Sequence, residues 1–310
     1  MLKYNIPTAK YQIVTKENLN EGLDFLSSVA PPYVLKADGL AAGKGVLIIH
    51  DKDEASNSLC EMLNGKFGEA SKTVVIEQFL EGIEMSVFVL TDGKNYVLFP
   101  EAKDYKRIGE GDTGLNTGGM GAVSPVPFAN PELMKKIDDL VIRRTIYGLQ
   151  KENFNYKGFV FIGLMIVNES PYVIEYNIRL GDPETEVIIP RIENDLIDLF
   201  EATANGTLNN QEVKIKDLVY TTIIVSSKGY PEQYEKGKLI NGLENKTRSL
   251  VFHAGTANAS EGVITNGGRV LAVSSSGKNI SEAVKQSLDT LKSINFDGMY
   301  YRRDIGYEFL

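Results

Sequence analysis

Cysteine occurs once in the 310 residues, histidine twice, and the 33 lysines and arginines are outnumbered by 41 acids. A single cysteine, Cys60, excludes an intrachain disulfide and suits a reducing compartment. It lies in the helix-like run 54–63 and reads as a small buried hydrophobe. His50 and His253 read as structural residues. The net charge of −8 argues against nucleic acid as a bulk partner, because phosphate backbones are held by excess lysine and arginine. No apolar run approaches the length that crosses a bilayer, and LKYNIPTAKY after Met1 has no signal-peptide core. The expectation is a cytoplasmic protein that binds neither nucleic acid nor membrane.

What is present is ordinary in bulk, 43% hydrophobic and 24% charged, and too long for one small core, so two or three compact units are expected. Strand-like and helix-like runs alternate, which predicts a mixed α+β protein. A helix is expected over 52–63 and a strand over 73–80. A hairpin is expected over 84–100, turning at Asp92-Gly93. A longer helix opens at Asn130-Pro131, where a cap is followed by proline in the first turn. GFVFIGLMIV and YVIEYNIR form a second expected hairpin, and a helix over 196–204 ends at Asn205-Gly206. From about 211 the chain turns to short strands and a closing helix, 281–291.

Three stretches carry chemistry. KADGLAAGKG (36–45) is a glycine-rich turn between apolar runs with a lysine at each side. It is not a P-loop, because Gly45 stands where the hydroxyl residue must follow the lysine. It reads either as a flap whose backbone N–H groups approach phosphate or as a solvated hairpin. In YVIEYNIRLGDPETE, strict alternation places Val173, Glu175, Asn177 and Arg179 on one strand face, successive members roughly 7 Å apart. A carboxylate beside an amide oxygen is a hard-ligand pair for Mg²⁺, and an arginine one step on can neutralise developing oxygen charge. An amphipathic strand with one wet face would look the same. Asp182, Glu184 and Glu186 crowd the strand end. Finally, EGDTGLNTGGMGAVSP holds four glycines within residues 114–121; it reads as a long loop that buries little and can wrap a small polar ligand.

Six pieces in order, IPTAKY (6–11), KADGLAAGKGV (36–46), EQFLEGIEMS (77–86), NTGGMGA (116–122), IEYNIRLGDPETE (174–186) and GMYYRRDIGY (298–307), make the chain resemble the ATP-grasp ligases, in particular the glycinamide ribonucleotide synthetases. The resemblance covers nearly the whole chain. It implies an ATP-grasp fold of two subdomains, 1–83 and 84–206, followed by a small β-rich unit, 207–310. It implies that Lys36 and Lys44 hold ATP phosphates with Gly43 and Gly45 in the flap. Glu77, Gln78, Phe79 and Leu80 would read adenine, and Glu84 would take the ribose. Glu175 and Asn177 would bind Mg²⁺ or Mn²⁺, and Arg179 would stabilise charge on the migrating phosphoryl group. Asp104, Lys106, Asn116, Gly118, Gly119 and Asp182 are the candidates for contacts to glycine and 5-phosphoribosylamine. The implied reaction is ATP-dependent joining of those two substrates in purine synthesis.

Two departures qualify it. The family's Ser-Gln-Asp-His-Lys reads Ala102-Lys103-Asp104-Tyr105-Lys106 here. Full members also carry roughly a hundred residues before IPTAKY, so a truncated or natural fragment is expected, binding MgATP but turning over phosphoribosylamine poorly. The alternatives are a non-catalytic MgATP-binding fragment and a grasp ligase for another carboxylate and amine. Arg302 and Arg303 read as a basic surface.

Overall fold

The computed structural model describes residues 1–39 and 45–310. Its first unit is a four-stranded antiparallel sheet, formed by β1 (Tyr11–Val14), β2 (Tyr33–Ala37), β3 (Val46–Ile49) and β4 (Val74–Gln78) in the order β1-β4-β2-β3. Strand alternation sends Val14, Tyr33, Leu35, Ile49, Val74 and Ile76 to one face, where α1 (Leu19–Ser28) and α2 (Lys52–Glu61) cover them. Asp51 caps α2 by accepting the Glu54 N–H at 2.8 Å. Ala55, Leu59 and Met62 form the buried stripe, while Cys60 is half-buried, short of the full burial expected. Among the described residues no helix covers the opposite face. Ile13, Val46 and Ile48 stand there 50%, 51% and 47% exposed, an apolar surface that needs a cover.

The chain then forms β5 (Ile83–Thr91), β6 (Tyr96–Leu98), β7 (Lys103–Asp104), β8 (Arg107–Gly109), β9 (Thr113–Asn116) and β10 (Gly121–Ser124). Helices α3 (Pro131–Ile137) and α4 (Arg143–Lys151) follow, joined by a wider helical turn over Asp138–Ile142. Asn130 accepts the Leu133 N–H at 2.9 Å, as its place before Pro131 predicts. Next come β11 (Gly158–Val167), β12 (Ser170–Asn177), α5 (Thr185–Ile188) and α6 (Leu196–Asn205). Strands β12-β11-β5-β6 make the second antiparallel sheet. One face carries Met85, Val87, Val160, Ile162, Leu164 and Val173 against α3 and α4. The other is split: its far half, with Phe88 and Phe161, packs under α5 and α6, and its near half is polar.

The remaining strands are β13 (Val219–Ser227), β14 (Leu250–His253), β15 (Thr256–Ala259), β16 (Gly262–Thr265), β17 (Arg269–Gly277) and β18 (Met299–Tyr300), with α7 (Ile280–Leu291) packed on β17 and β13. The third sheet runs β14-β17-β13-β10-β7 with β18 also on β13, so two of its strands come from the segment 103–124. The separation drawn at 206 and 207 is therefore not a break in hydrogen bonding. The glycine-rich stretch 108–127 likewise differs from the expected open loop: its second half, Met120 to Ser124, is fully buried. A Cβ on Gly121 would come within 2.6 Å of Ile305 Cδ1 and 2.7 Å of the Thr222 oxygen. The glycine that suggested a loop is what lets two strands and the C-terminal segment close around β10.

Arg302, expected on a basic surface, is 0% exposed. It donates to both Asp304 carboxylate oxygens at 2.8 Å, to Asp112 at 2.6 Å and to the Arg107 carbonyl at 3.1 Å. Asp304 also accepts the Gly111 N–H at 2.7 Å. The arginine thus ties the chain's end to the β8–β9 hairpin.

Candidate active site

The polar half of the second sheet collects residues from two strands by register alone. Gly163 pairs with Ser86 on one side and Glu175 on the other; Met165 pairs with Glu84, and Phe161 with Asn177. Directly opposed residues share a face, so Glu84, Ser86, Glu175 and Asn177 point the same way. The strict alternation from Val173 does not hold. Leu164 pairs with Val173 and Gly163 with Glu175, leaving Ile174 as an extra residue in a β-bulge. The bulge turns Val173 into the helix-backed core, where it is 1% exposed, and Glu175 to the open face. Its position is braced by the N-terminal segment: the Val173 N–H donates to the Pro7 carbonyl at 2.8 Å, and Thr8 Oγ1 donates to the Val173 carbonyl at 2.8 Å. Strand β12 ends at Asn177, and Arg179 lies beyond it, exposed, donating to the Leu180 carbonyl at 2.8 Å.

Glu175 and Asn177 fit a divalent cation. Both offer hard oxygens from one face, two residues apart, and Gly163 opposite Glu175 adds no side chain of its own; a Cβ there would sit 3.0 Å from Glu175 Cγ. No cluster of three or more His, Cys, Asp or Glu at metal-holding spacing occurs among the described residues.

Beside this face lies a chain of charges. Lys106 Nζ is 2.5 Å from Glu84 and 2.9 Å from Asp104. Burial alone would lower the lysine's pKa, but the carboxylates of Asp104 and then Glu84 raise it well above the ordinary value. Alternation along this segment sends its odd-numbered residues away from the site. Tyr105 turns the other way, donating to Glu308 at 2.8 Å, and Lys103 pairs with Glu308 at 2.8 Å, so both serve the C-terminal core. Glu184, not singled out for contacts from the sequence, is 4% exposed and accepts from Ser86 Oγ at 3.3 Å. Burial, reinforced by the Asp104 charge, pushes its carboxyl up to about 7.

On the first sheet's uncovered face, Lys36 pairs with Glu77 at 2.7 Å across the β2–β4 diagonal. Glu77 and Gln78 end β4, and Phe79 and Leu80 lead into β5, all half-buried. Gly45 is buried, and its carbonyl accepts the Ala37 N–H at 2.8 Å, extending the β2–β3 pairing by one bond. Gly43 and Lys44 lie outside the described residues. Asn116 is exposed at the end of β9, Gly118 is exposed, and Gly119 is buried with φ of 110° against Pro183. Asp182 and Gly118 are brought together by a residue that sequence reasoning missed. Arg269 donates to the Gly118 carbonyl at 2.7 Å, to the Asp182 carbonyl at 3.1 Å and to the Asp182 carboxylate at 2.7 Å. A lone arginine in NGGRVLAV carries no motif signal for this role.

The chain is similar to known proteins along its whole length. Residues 1–185 match the family described as phosphoribosylglycinamide synthetase, ATP-grasp (A) domain, and residues 220–308 match phosphoribosylglycinamide synthetase, C domain. A phosphoribosylamine–glycine ligase from Chlorobaculum tepidum is 43% identical over 315 aligned residues, covering 100% of this chain and 74% of that protein. The crystal structure of phosphoribosylamine–glycine ligase from Thermotoga maritima superposes with a TM-score of 0.89 at 39% identity, covering 98% of this chain and 76% of that one. The biotin carboxylase domain of the Hydrogenobacter thermophilus 2-oxoglutarate carboxylase, solved with MgADP, shares the fold at 15% identity and a TM-score of 0.74. With both parts of the profile matched in order and close relatives aligned along its whole length, the chain belongs to the phosphoribosylamine–glycine ligase family of ATP-grasp carbon–nitrogen ligases.

Proposed function

We propose that this chain joins glycine to 5-phosphoribosylamine in de novo purine synthesis, in the cytoplasm, with ATP converted to ADP and phosphate. A glycine carboxylate is too poor an electrophile for an amine to attack. Transfer of the γ-phosphoryl group to a carboxylate oxygen breaks the bond to the β–γ bridging oxygen and releases ADP. The acyl phosphate then accepts the amine nitrogen; the C–N bond forms, phosphate leaves with its oxygen, and the nitrogen gives up a proton.

The single observation that carries this reading is the shared face of Glu84, Ser86, Glu175 and Asn177, set next to a sheet whose own bare face displays Lys36. Lys36 neutralises phosphate charge, and Glu77 to Leu80 line the link between the sheets, where backbone groups read the base. Glu84 takes the ribose hydroxyls. Glu175 and Asn177 hold Mg²⁺ or Mn²⁺, which supplies charge neutralisation on the phosphates when bound. Arg179, two residues beyond Asn177 and exposed, stabilises charge on the transferring oxygens. Asp104, Lys106, Asn116, Gly118, Gly119 and Asp182 form the edge where glycine and the amine dock. Water must be kept from the acyl phosphate for the amine to compete.

The test is ADP release measured with each substrate omitted in turn, with hydroxylamine as a trap. The reading expects glycine-dependent ADP release, glycine hydroxamate when hydroxylamine replaces the amine, and glycinamide ribonucleotide when phosphoribosylamine is present. ADP release indifferent to glycine, with no hydroxamate, would overturn it.

A further inference from the structure

Resting on that reading, we propose that Arg269 and Tyr230 are positioning residues for the ligation, a clamp by which the third sheet sets the geometry of the substrate edge. The evidence begins with a register slip. Val225 pairs with Leu271 and Ser226 with Arg269, so Val270 is an extra residue in β17. Without the bulge Arg269 would share the face of Leu271 and Val273 and enter the core that holds them. With it, Val270 takes a core position, and the guanidinium is re-aimed outward, its side chain 21% exposed.

What it reaches are two segments remote in sequence, 151 and 87 residues away. The carbonyl of Gly118 and both the carbonyl and carboxylate of Asp182 accept from it. Tyr230 completes the grip, because its hydroxyl accepts the Gly118 N–H at 2.9 Å. Both backbone polar groups of Gly118 are thereby fixed by side chains from beyond residue 206. The approach is close on both sides of the clamp, and closest at Gly268. A Cβ on Gly118 would sit 3.0 Å from the guanidinium carbon, and one on Gly268 would sit 2.2 Å from the Tyr230 ring. Gly118 and Asp182 are assigned to the substrates and not to the nucleotide. Loosening the clamp should therefore misplace glycine and the amine while leaving the nucleotide site, built on other strands, untouched. Lysine can restore one of the contacts but not the forked set.

The experiment compares Arg269→Met, Arg269→Lys and Tyr230→Phe with the unaltered chain. Calorimetry with a nonhydrolysable ATP analogue and Mg²⁺ reads the nucleotide site. Steady-state kinetics read KM for glycine, phosphoribosylamine and ATP, and hydrogen exchange reads the amides of 114–121 and 180–186. The clamp predicts that Arg269→Met lowers kcat/KM for glycine and the amine by about 10- to 100-fold. Nucleotide affinity stays within about twofold, Arg269→Lys recovers part of the loss, and exchange rises in the two segments alone. Unchanged exchange and kinetics in Arg269→Met would overturn it, as would an equal loss of nucleotide affinity. If the unaltered chain shows no glycine-dependent turnover, the assigned reaction fails, and the exchange comparison still decides the clamp.

Discussion

Replacing Arg302 with methionine keeps most of the side-chain volume and removes the charge, which isolates the role of the buried guanidinium. Breaking a fully buried ion pair from one side costs about 3–5 kcal/mol, because the partner carboxylates are left uncompensated. Here the partners are not fully buried: the Asp112 and Asp304 side chains are 34% and 19% exposed and can regain some water. The lower end applies, about 3 kcal/mol, and at roughly 2 °C per kcal/mol for a chain of this size the melting point should fall by about 6 °C. The damage should be local first, because the Asp304 carboxylate that pairs with Arg302 also holds the Gly111 N–H. Thermal scanning and limited proteolysis around residues 110–114 read the two effects. Adding Asp304→Asn to the Arg302→Met chain removes one stranded charge and should recover part of the loss. A melting point within about 1 °C of the unaltered protein, with unchanged cleavage at the hairpin, would refute the reasoning, since the penalty is set by the stranded carboxylates.

Glu184 should make stability fall as pH rises. Its folded pKa of about 7 lies above the ordinary carboxyl value of 4.5, so the folded state holds the extra proton between these values and deprotonation of the buried acid penalises the fold. Glu184→Gln should flatten the melting-point profile between pH 5 and 8 relative to the unaltered chain; parallel profiles would contradict it. Asp92 has the opposite sign. Burial would raise its pKa, but hydrogen bonds from Asn95, Lys94 and Leu208 hold it below the ordinary value, so its contribution is present above the unfolded pKa and lost as pH falls through the folded one. Asp92→Ala also leaves the buried Leu208 N–H unpaired and should cost about 2 kcal/mol at pH 7 by denaturant titration, a difference that shrinks in acid. Lys36→Met should weaken nucleotide binding about tenfold, measured by calorimetry, and should also lower the melting point by a few degrees, because the Glu77 side chain it leaves unpaired is only 21% exposed.

Much of the architecture was legible because local signals and burial agree. The Asp92-Gly93 turn, the Asn130-Pro131 cap and the two apolar runs of β11 and β12 each have one good local solution, and the structure adopts it. The α+β class and the ATP-grasp arrangement followed from those elements and the family motifs. What escaped were features set by partners distant in sequence. A bulge depends on the opposing strand, so neither the turn of Glu175 away from Val173 nor the re-aiming of Arg269 could be read from alternation. β10 is four residues long and buried throughout, so it shows no period of two, and its glycine reads as a loop until the neighbours of Gly121 are known. Arg302 looks like surface charge because charge seldom lies buried, and the acids that compensate it, Asp112 and Asp304, declare themselves only in three dimensions.

The most direct measurement is the metal dependence of nucleotide binding in Glu175→Ala combined with Asn177→Ala, titrated calorimetrically with a nonhydrolysable ATP analogue with and without Mg²⁺. The account predicts that the paired variant binds the metal-free nucleotide as the unaltered chain does and loses the added affinity that Mg²⁺ confers. Retention of that Mg²⁺-dependent increment would contradict the claim that one face of β12 holds the cation.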